Sequence, residues 1–205
     1  EGKEYLDFIA GVSAISLGHC HPKIISAVKN QLDKYLHVMV YGEFIQEPAV
    51  ELTKLLSRFL PENLTTTYLT NSGTEAIEGS MKLARRATGR KEIIYAKNAY
   101  HGNTMGALSI MGVEERKEIF QPLLPDCNSI EFNNEKDILK ITSKTAGVVL
   151  ETIQGGAGFI VPKNDYLKKI KNRCSKVGAL LILDEIQPGF GRTGKLFGFE
   201  HYDIS

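Results

Sequence analysis

The stretch Leu180–Gln187, with the sequence LLILDEIQ, constrains the fold more than any other part of the chain. Four consecutive apolar residues that end on two acids are typical of a buried strand in a parallel sheet covered on both faces. Ligands of open α/β sheets bind at the carboxyl ends of such strands. A buried carboxylate there is costly unless it meets a cation or a strong donor. The stretch therefore predicts an α/β fold and makes the partner of Asp184 the central question.

Composition and charge narrow the possible classes of protein. The chain has 205 residues, 42% hydrophobic and 24% charged, which is an ordinary globular balance with enough chain for one sizeable core. The net charge of +1 gives no broad electrostatic case for binding nucleic acid or an anionic membrane. Cys20, Cys127 and Cys174 lie far apart and are odd in number. This pattern favours reduced thiols in a cytoplasmic protein over a disulfide framework.

Alternating strand and helix patterns predict βαβ units and a mostly parallel sheet. Apolar periodicity, with Pro and Gly near the ends, predicts helices at about 22–35, 47–60, 73–86, 135–142 and 164–177. Short β-branched or apolar runs predict strands at about 4–8, 66–70, 92–96, 129–132 and 146–151, and from 180 onward. His19, Cys20 and His21 lack the spacing and the second cluster of a metal site, so a turn and helix cap is favoured there and no metal ligand is predicted.

The segment Ser72-Gly73-Thr74 follows one predicted strand and opens a helix. Gly73 would let the backbone come close to a ligand, and the two hydroxyls would add donors. The free N–H groups and positive dipole end of the helix complete a phosphate cradle. Simple N-capping by Ser or Thr explains the same residues, and both interpretations stay open at this point.

Three further predicted strands also end on distinctive groups. They are Tyr100-His101-Gly102 after the strand at 92–96, Glu151 with Gln154, and Asp184 with Gln187. If all these strand ends converge, the pocket holds a phosphate-binding loop, a stacking ring and a buried carboxylate. Pyridoxal phosphate is a planar cofactor that would use all of them, because a carboxylate against its pyridine nitrogen keeps the ring protonated and makes it an electron sink.

In their order and spacing, these motifs resemble those of the class III, or ω-type, aminotransferases. That family includes the acetylornithine, ornithine and 4-aminobutyrate aminotransferases, and the resemblance covers essentially the whole chain. The matching motifs are Tyr5-Leu6-Asp7-Phe8 with Leu17-Gly18-His19-Cys20-His21-Pro22, Asn71-Ser72-Gly73-Thr74-Glu75-Ala76, Tyr100-His101-Gly102, Glu151 with Gln154-Gly155, and Leu183-Asp184-Glu185-Ile186-Gln187 continuing into Gly189-Phe190-Gly191-Arg192-Thr193-Gly194. The resemblance implies a fold-type-I, pyridoxal-phosphate-dependent transferase, a mostly parallel sheet with helices on both faces.

The resemblance also implies roles for individual residues. Asp184, the catalytic candidate, would pair with the pyridine nitrogen, and Gln187 would hydrogen-bond the 3-oxygen of the ring. The phosphate would lie against Ser72, Gly73 and Thr74, and one face of the ring against Tyr100, with His101 behind it. Glu151 would support both the cofactor and the substrate amine, and Tyr41 falls where ornithine-type enzymes contact substrate.

Two positions depart from the family pattern. Many members carry an Arg after His-Gly that can bind a substrate carboxylate, where this chain has Asn103. Ornithine and 4-aminobutyrate types carry a Glu after Gln-Gly, where this chain has Gly156. The loss of a charge-assisted donor and of an acidic gate should change substrate selection. The expected reaction therefore moves an amino group from an amino acid or ω-amine to a 2-oxo acid, with the donor and acceptor left open.

The chain is expected to be an N-terminal part of a longer protein. It begins at Glu1 without Met and stops at Ser205, ahead of the position where the family carries its Schiff-base lysine. Residues 1–40 are expected to belong to a small domain, and 41–205 to an incomplete large domain that binds pyridoxal phosphate. The resemblance further implies a homodimer with the site at the subunit interface.

Two rival functions remain open. Gly189 through Lys195 fits G-x-x-x-x-G-K, the pattern of a P-loop nucleotide-binding protein, but position 196 is Leu where that motif needs Ser or Thr for Mg²⁺. The acid-ended strand also precedes this loop, whereas in P-loop folds the nucleotide loop normally comes first. The second rival is a catalytically inactive binding module on the aminotransferase fold, which a complete sequence without the lysine would favour.

Overall fold

The computed structural model describes residues 2–39 and 42–204. Contacts divide the chain into two compact units, one ending at Tyr68 and one beginning at Leu69. The assignment of residues 1–40 to a small domain and 41–205 to a large domain stays a prediction. Tyr41, the predicted substrate contact, lies outside the described residues.

The unit that ends at Tyr68 contains two helices, α1 (Pro22–Leu32) and α2 (Glu47–Phe59). Each begins with a proline in its first turn, where the missing N–H costs nothing. Within the described residues of the two helices, all side chains are at least partly exposed. The predicted strand at 4–8 is wrong. The segment has no ladder partner in the described chain, and Asp7 Oδ1 accepts the backbone N–H groups of Ile9 and Ala10 at 2.9 Å, where the chain turns directly after it.

The unit that begins at Leu69 alternates helices and strands. In chain order these are α3 (Gly73–Thr88), β1 (Glu92–Ala96), α4 (Met105–Ser109), β2 (Cys127–Ile130), β3 (Thr145–Glu151), α5 (Tyr166–Val177) and β4 (Leu180–Asp184). Short 3₁₀ helices lie at Glu114–Arg116, Glu118–Phe120, Glu135–Lys140 and Gly198–His201. The predicted strands at 92–96, 129–132, 146–151 and 180 onward are confirmed to within two residues at their starts.

Two predictions in this region are wrong. The segment 66–70 is not a strand, because it has no ladder partner within 2–39 and 42–204. β-Branched residues favour an extended backbone, but they do not provide a neighbouring strand. The strand β4 is also not buried along its length. Leu180 is 39% exposed and only Asp184 at the far end is buried, because β4 has a neighbour on one side alone in the described chain.

The four strands form one parallel sheet in the order β2-β1-β3-β4. The connection from β1 to β2, which contains α4, runs in the opposite direction across the sheet from the connection from β3 to β4, which contains α5. Because such crossovers are right-handed, the two connections lie on opposite faces of the sheet. The topological switch point falls between β1 and β3, where ligands of α/β sheets bind. The predicted α/β fold class is confirmed.

The core fixes the position of the strand ends. Every residue of β3 is buried, and so are four of the five residues of β1. One cluster joins these strands to α3 and α4 through Ile77, Met81, Ala84, Ile93, Tyr95, Ala107, Ile110, Ala146 and Val149. Full burial of a large apolar side chain stabilises a fold by about 1.5–3 kcal/mol. The carboxyl ends of β1 and β3 are therefore held by well-packed elements.

Candidate functional site

The buried carboxylate at the end of β4 meets a histidine. Asp184 Oδ2 lies 2.8 Å from His101 Nδ1, and both residues are at most 5% exposed. Because a carboxylate only accepts, the Nδ1–H of His101 donates this bond. The bond reaches across the carboxyl end of β3, because β3 separates β1 from β4. Asp184 Oδ1 accepts the N–H of Ile186 at 3.0 Å, so both carboxylate oxygens are fixed.

Glu151 occupies the end of β3 and pairs in register with Asp184. Its two oxygens accept the backbone N–H groups of Tyr100 and Gly155, each at 3.2 Å. Burial raises the pKa of Glu151, the nearby His101 and the two N–H donors oppose that rise, and Asp184 adds to it. Glu151 thus joins the loop after β1 to the loop after β3.

Gln154, which the sequence associated with Glu151, has a different partner. It is 1% exposed and its Nε2 donates to the carbonyl oxygen of Lys97 at 2.8 Å. Its backbone also pairs with Ile160 in an isolated antiparallel bridge. Gln154 therefore joins the loop after β3 to the residue that follows β1.

Two glycines bring neighbouring loops into contact. A Cβ at Gly155 would lie 1.4 Å from Gln187 Oε1, so the side chain of Gln187 covers the backbone at that position. A Cβ at Gly73 would lie 2.6 Å from Cδ1 of Ile186, so the start of α3 lies against the loop after β4. The structure thus brings the predicted phosphate-binding residues to the same end of the sheet as Asp184 and Gln187.

The phosphate loop, residues 71–74, shows capping and an open helix end together. Ser72 Oγ accepts the N–H of Glu75 at 3.2 Å, which is the N-cap bond of α3. Glu75 Oε2 accepts the N–H of Asn71 at 2.8 Å. The capping bond uses an oxygen lone pair of Ser72 and leaves the hydroxyl proton to donate elsewhere. Capping and phosphate binding by Ser72 are therefore compatible.

The stacking loop, residues 100–104, carries the predicted ring contact. Tyr100 is 41% exposed, whereas the next residue, His101, is buried. A Cβ at Gly156 would lie 3.5 Å from Cβ of Tyr100, which is ordinary contact. Asn103 is exposed and follows the buried Gly102. The loop thus presents one aromatic side chain and one amide outward and keeps a histidine inside.

Two residues of this region were not singled out by the sequence. Thr104 Oγ1 lies 2.8 Å from Thr74 Oγ1, and it donates to Glu78 Oε1 at 2.6 Å. Thr74 and Glu78 are four residues apart on α3, and such residues share a helix face. This spacing could have indicated that Glu78 lies beside the phosphate loop. Nothing local in the sequence indicated that Thr104 lies against that face.

The Gly-rich stretch after Asp184 does not form the strand–loop–helix unit of a P-loop. It leads into the short 3₁₀ helix Gly198–His201, and Lys195 Nζ donates to the carbonyl oxygen of Glu200 at 2.9 Å. Glu185 accepts the N–H groups of Gly198 at 2.6 Å and of Phe199 at 2.8 Å. The second acid of the pair therefore anchors this loop.

Comparison with known proteins identifies the family. The family model Aminotransferase class-III matches residues 1–205. The chain belongs to the class III aminotransferases. Within residues 2–39 and 42–204 of this family member, no helix has the length and apolarity to cross a membrane, and no three His, Cys, Asp or Glu side chains are grouped as a metal site.

Similar members of the family differ in their named activities. The acetylornithine aminotransferase of Clostridium acetobutylicum is 44% identical over 211 residues, covering 100% of this chain and 54% of the relative. The [LysW]-aminoadipate semialdehyde/glutamate semialdehyde transaminase of Sulfolobus acidocaldarius is 42% identical over 205 residues, covering 100% and 52%. This class III chain therefore spans about half the length of the curated relatives it matches.

The fold is shared with solved aminotransferase structures. The ornithine aminotransferase of Toxoplasma gondii superposes with a TM-score of 0.86 at 32% identity, covering 99% of this chain and 50% of that one. That structure has partial occupancy of pyridoxal phosphate at its active site. The predicted fold-type-I transferase architecture is confirmed by this similarity.

Proposed function

We propose that the protein containing this chain is a pyridoxal-phosphate-dependent aminotransferase that moves an amino group from an amino acid or ω-amine to a 2-oxo acid. The observation that carries the proposal is the buried Asp184, oriented by His101 at the carboxyl end of β4. Family membership supports it, because homologues that match the full chain are aminotransferases.

The residues of the phosphate loop suit a phosphate group. The first N–H groups of α3 have no carbonyl partner within the helix, and the positive end of its dipole faces the same side. Gly73 has no side chain over this backbone, and a Cβ there would meet Ile186. Ser72 would hold the phosphate by its hydroxyl, and Gly73 and Thr74 would hold it by backbone N–H groups.

The remaining residues suit a planar, protonated ring. Asp184 would hold a proton on the pyridine nitrogen, because a carboxylate fixed by His101 is a strong partner for a cation. Gln187 would donate to the 3-oxygen, and Tyr100 would cover one ring face. When bound, the cofactor supplies the electron sink for the reaction. Glu151 would orient the substrate amine from beside the ring.

Substrate selection would be set by positions around the ring. We propose that Tyr41 and Asn103 contact the substrate. Asn103 offers a neutral amide instead of a guanidinium, and Gly156 offers no carboxylate beside Tyr100. The site would therefore recognise a substrate carboxylate differently from ornithine-type enzymes.

The proposed setting is a cytoplasmic homodimer with the active site at the subunit interface. The free thiols of Cys20, Cys127 and Cys174 favour a reducing compartment. Many apolar side chains of the unit that ends at Tyr68 are exposed, among them Tyr5, Leu6, Phe8 and Ile45, which favours their burial against further protein.

Visible absorption of the full-length gene product with pyridoxal phosphate tests the proposal. A band from cofactor bound to the protein should appear and should bleach when a productive amino donor is added. The donor that bleaches it begins to define the substrate. If the protein contains the family's lysine and no band appears, the cofactor assignment is wrong, and ATP binding with magnesium becomes the next test.

A further inference from the structure

The side chain of Glu78 on α3 binds both the end of the stacking loop and the start of α4. Its Oε1 accepts hydrogen bonds from Thr104 Oγ1 at 2.6 Å, from the N–H of Gly106 at 2.8 Å and from the N–H of Ala107 at 3.2 Å. These N–H groups open α4 and have no carbonyl partner within that helix. A single carboxylate oxygen thus accepts hydrogen bonds from the last residue of the stacking loop and from two N–H groups of α4.

Thr104 extends this contact to the phosphate loop. Because Glu78 can only accept, the hydroxyl proton of Thr104 is committed to Glu78, and Thr74 is the donor in the 2.8 Å contact between the two threonine hydroxyls. Thr74 Oγ1 also accepts the N–H of Thr104 at 3.3 Å. The oxygen of Thr74 is thereby held in place from two directions.

The backbone leaves room for both side chains. A Cβ at Gly106 would lie 2.1 Å from Glu78 Oε2, and a Cβ at Gly102 would lie 2.2 Å from Thr74 Oγ1. Gly102 also has φ +127°, a conformation that side chains disfavour. Side chains at positions 102 and 106 would therefore clash with Thr74 and Glu78. The two glycines are independent support for a close contact between α3 and the segment 102–106.

We propose that Glu78 is a positioning residue that locks the phosphate loop to the stacking loop through Thr104, and that it thereby sets the affinity for the phosphate group of the cofactor. This inference rests on the proposed function. Glu78 acts as a hydrogen-bond acceptor in this role. Its negative charge would oppose a nearby phosphate, so charge attraction does not explain its position.

The test compares the binding of pyridoxal phosphate and of pyridoxal, which lacks the phosphate, to the full-length protein. Glu78→Ala should weaken pyridoxal phosphate binding about tenfold, equivalent to about 1.4 kcal/mol, and change pyridoxal binding by less than about twofold. Glu78→Gln keeps a carbonyl acceptor and should bind pyridoxal phosphate within about threefold of wild type. Glu115→Ala, which removes an exposed acid at 114–116, is the charge control and should match wild type.

Thr104→Val keeps the inference testable if Glu78→Ala does not fold. This variant removes the hydroxyl that joins Glu78 to Thr74, keeps the backbone N–H of residue 104 that donates to Thr74, and leaves Glu78 bonded to the N–H groups of Gly106 and Ala107. It should weaken pyridoxal phosphate binding about fivefold, and Thr104→Ser should restore it. Hydrogen exchange at Gly106 and Ala107 should speed up in Glu78→Ala and stay near the wild-type rate in Thr104→Val.

Three outcomes in the variants would overturn the inference, and one outcome in wild type would remove its basis. If Glu78→Ala weakens the binding of pyridoxal phosphate and of pyridoxal equally, the role of Glu78 is merely structural. Failure of Glu78→Gln to restore binding would show that acceptance alone is not what matters. Pyridoxal phosphate affinity within about twofold of wild type in both Glu78→Ala and Thr104→Val would show that the two loops do not depend on this link. If wild type itself binds pyridoxal phosphate no better than pyridoxal, the phosphate assignment of the proposed function fails first, and this inference falls with it.

Discussion

The ends of β3 and β4 carry the same sequence pattern and have different environments. Each strand is an apolar run that ends on a buried acid, and the two acids, Glu151 and Asp184, are register partners in a parallel ladder. Glu151 is bonded by backbone N–H groups of two loops. Asp184 is bonded by the ring of His101 and one N–H group.

The difference shows how one pattern serves two purposes. Backbone N–H donors give Glu151 a structural connection between the loops after β1 and β3, and burial raises its pKa. The imidazole gives Asp184 a partner that fixes its orientation within the same site. We therefore expect changes at Asp184 to affect the chemistry most, and changes at Glu151 to affect stability and its dependence on pH.

The largest expected effect comes from Asp184→Ala in the full-length protein. Loss of the carboxylate should lower transamination at least about a hundredfold, because each tenfold corresponds to about 1.36 kcal/mol of transition-state stabilisation and the ring would lose its proton. Steady-state kinetics with a productive donor measure this, and circular dichroism checks that the fold is intact. Asp184→Asn, which keeps the shape without the charge, should lose a similar amount. Unchanged activity in Asp184→Ala would contradict the role assigned to this residue.

The next effect concerns Gly155, which lies where the two strand-end loops meet. Alanine there would place a Cβ 1.4 Å from Oε1 of Gln187, which is the far end of a flexible side chain. The side chain of Gln187 would therefore have to move, whereas the backbone at position 155 could stay where it is. Gly155→Ala should weaken pyridoxal phosphate binding about tenfold through loss of one hydrogen bond to the ring, with little change in Tm. Fluorescence titration and thermal denaturation measure the two quantities. Gly156→Ala, with its Cβ in ordinary contact with Tyr100, is the matched control and should bind normally.

A smaller effect is expected from Glu151→Gln and concerns pH. The folded pKa of Glu151 is raised above its ordinary value of 4.5, so the folded protein holds this proton more tightly than the unfolded chain. The protonated Glu151 therefore adds to the free energy of unfolding. This contribution is fully present below the ordinary pKa and is lost as the pH rises through the raised pKa of the folded protein. Wild type should therefore lose free energy of unfolding relative to Glu151→Gln as the pH increases across this window. Denaturant titrations at several pH values test this, and a difference that does not vary with pH would contradict it.

The smallest effect is expected at Asn103, in the loop that both acids contact through Tyr100 and His101. Asn103→Arg adds an exposed guanidinium that can bind a carboxylate by two parallel hydrogen bonds. The ratio of kcat/KM for a donor with an additional carboxylate to that for a simple ω-amine should rise about threefold or more. Asn103→Gln, longer but neutral, should leave the ratio unchanged. An equal ratio in the arginine variant would argue against substrate contact at this position.

Features that depend on residues close together in the sequence could be predicted, whereas contacts between residues far apart in the sequence could not. The groups that follow β1, β3 and β4 could be placed at strand ends from the sequence, because apolar runs and the residues after them are local patterns. The bond between His101 and Asp184 joins residues 83 positions apart, and the sequence grouped them without showing their contact.

The errors have the same physical origin. Segments 4–8 and 66–70 have β-forming residues, but a strand also needs a neighbour, and local composition does not supply one. The contact between Glu78 and Thr104 was missed because it depends on how α3 packs beside α4, 26 residues further along the chain.

The register of β3 and β4 has a consequence for how such a site can diversify. The spacing of Glu151 and Asp184 is fixed by backbone hydrogen bonds between adjacent strands, about 4.8 Å apart. Insertions or substitutions in the surrounding loops can alter the candidate site without separating these two groups. In the proposed enzyme, new substrate preferences would therefore arise in the loops at 100–104 and 155–156 while Glu151 and Asp184 stay in register.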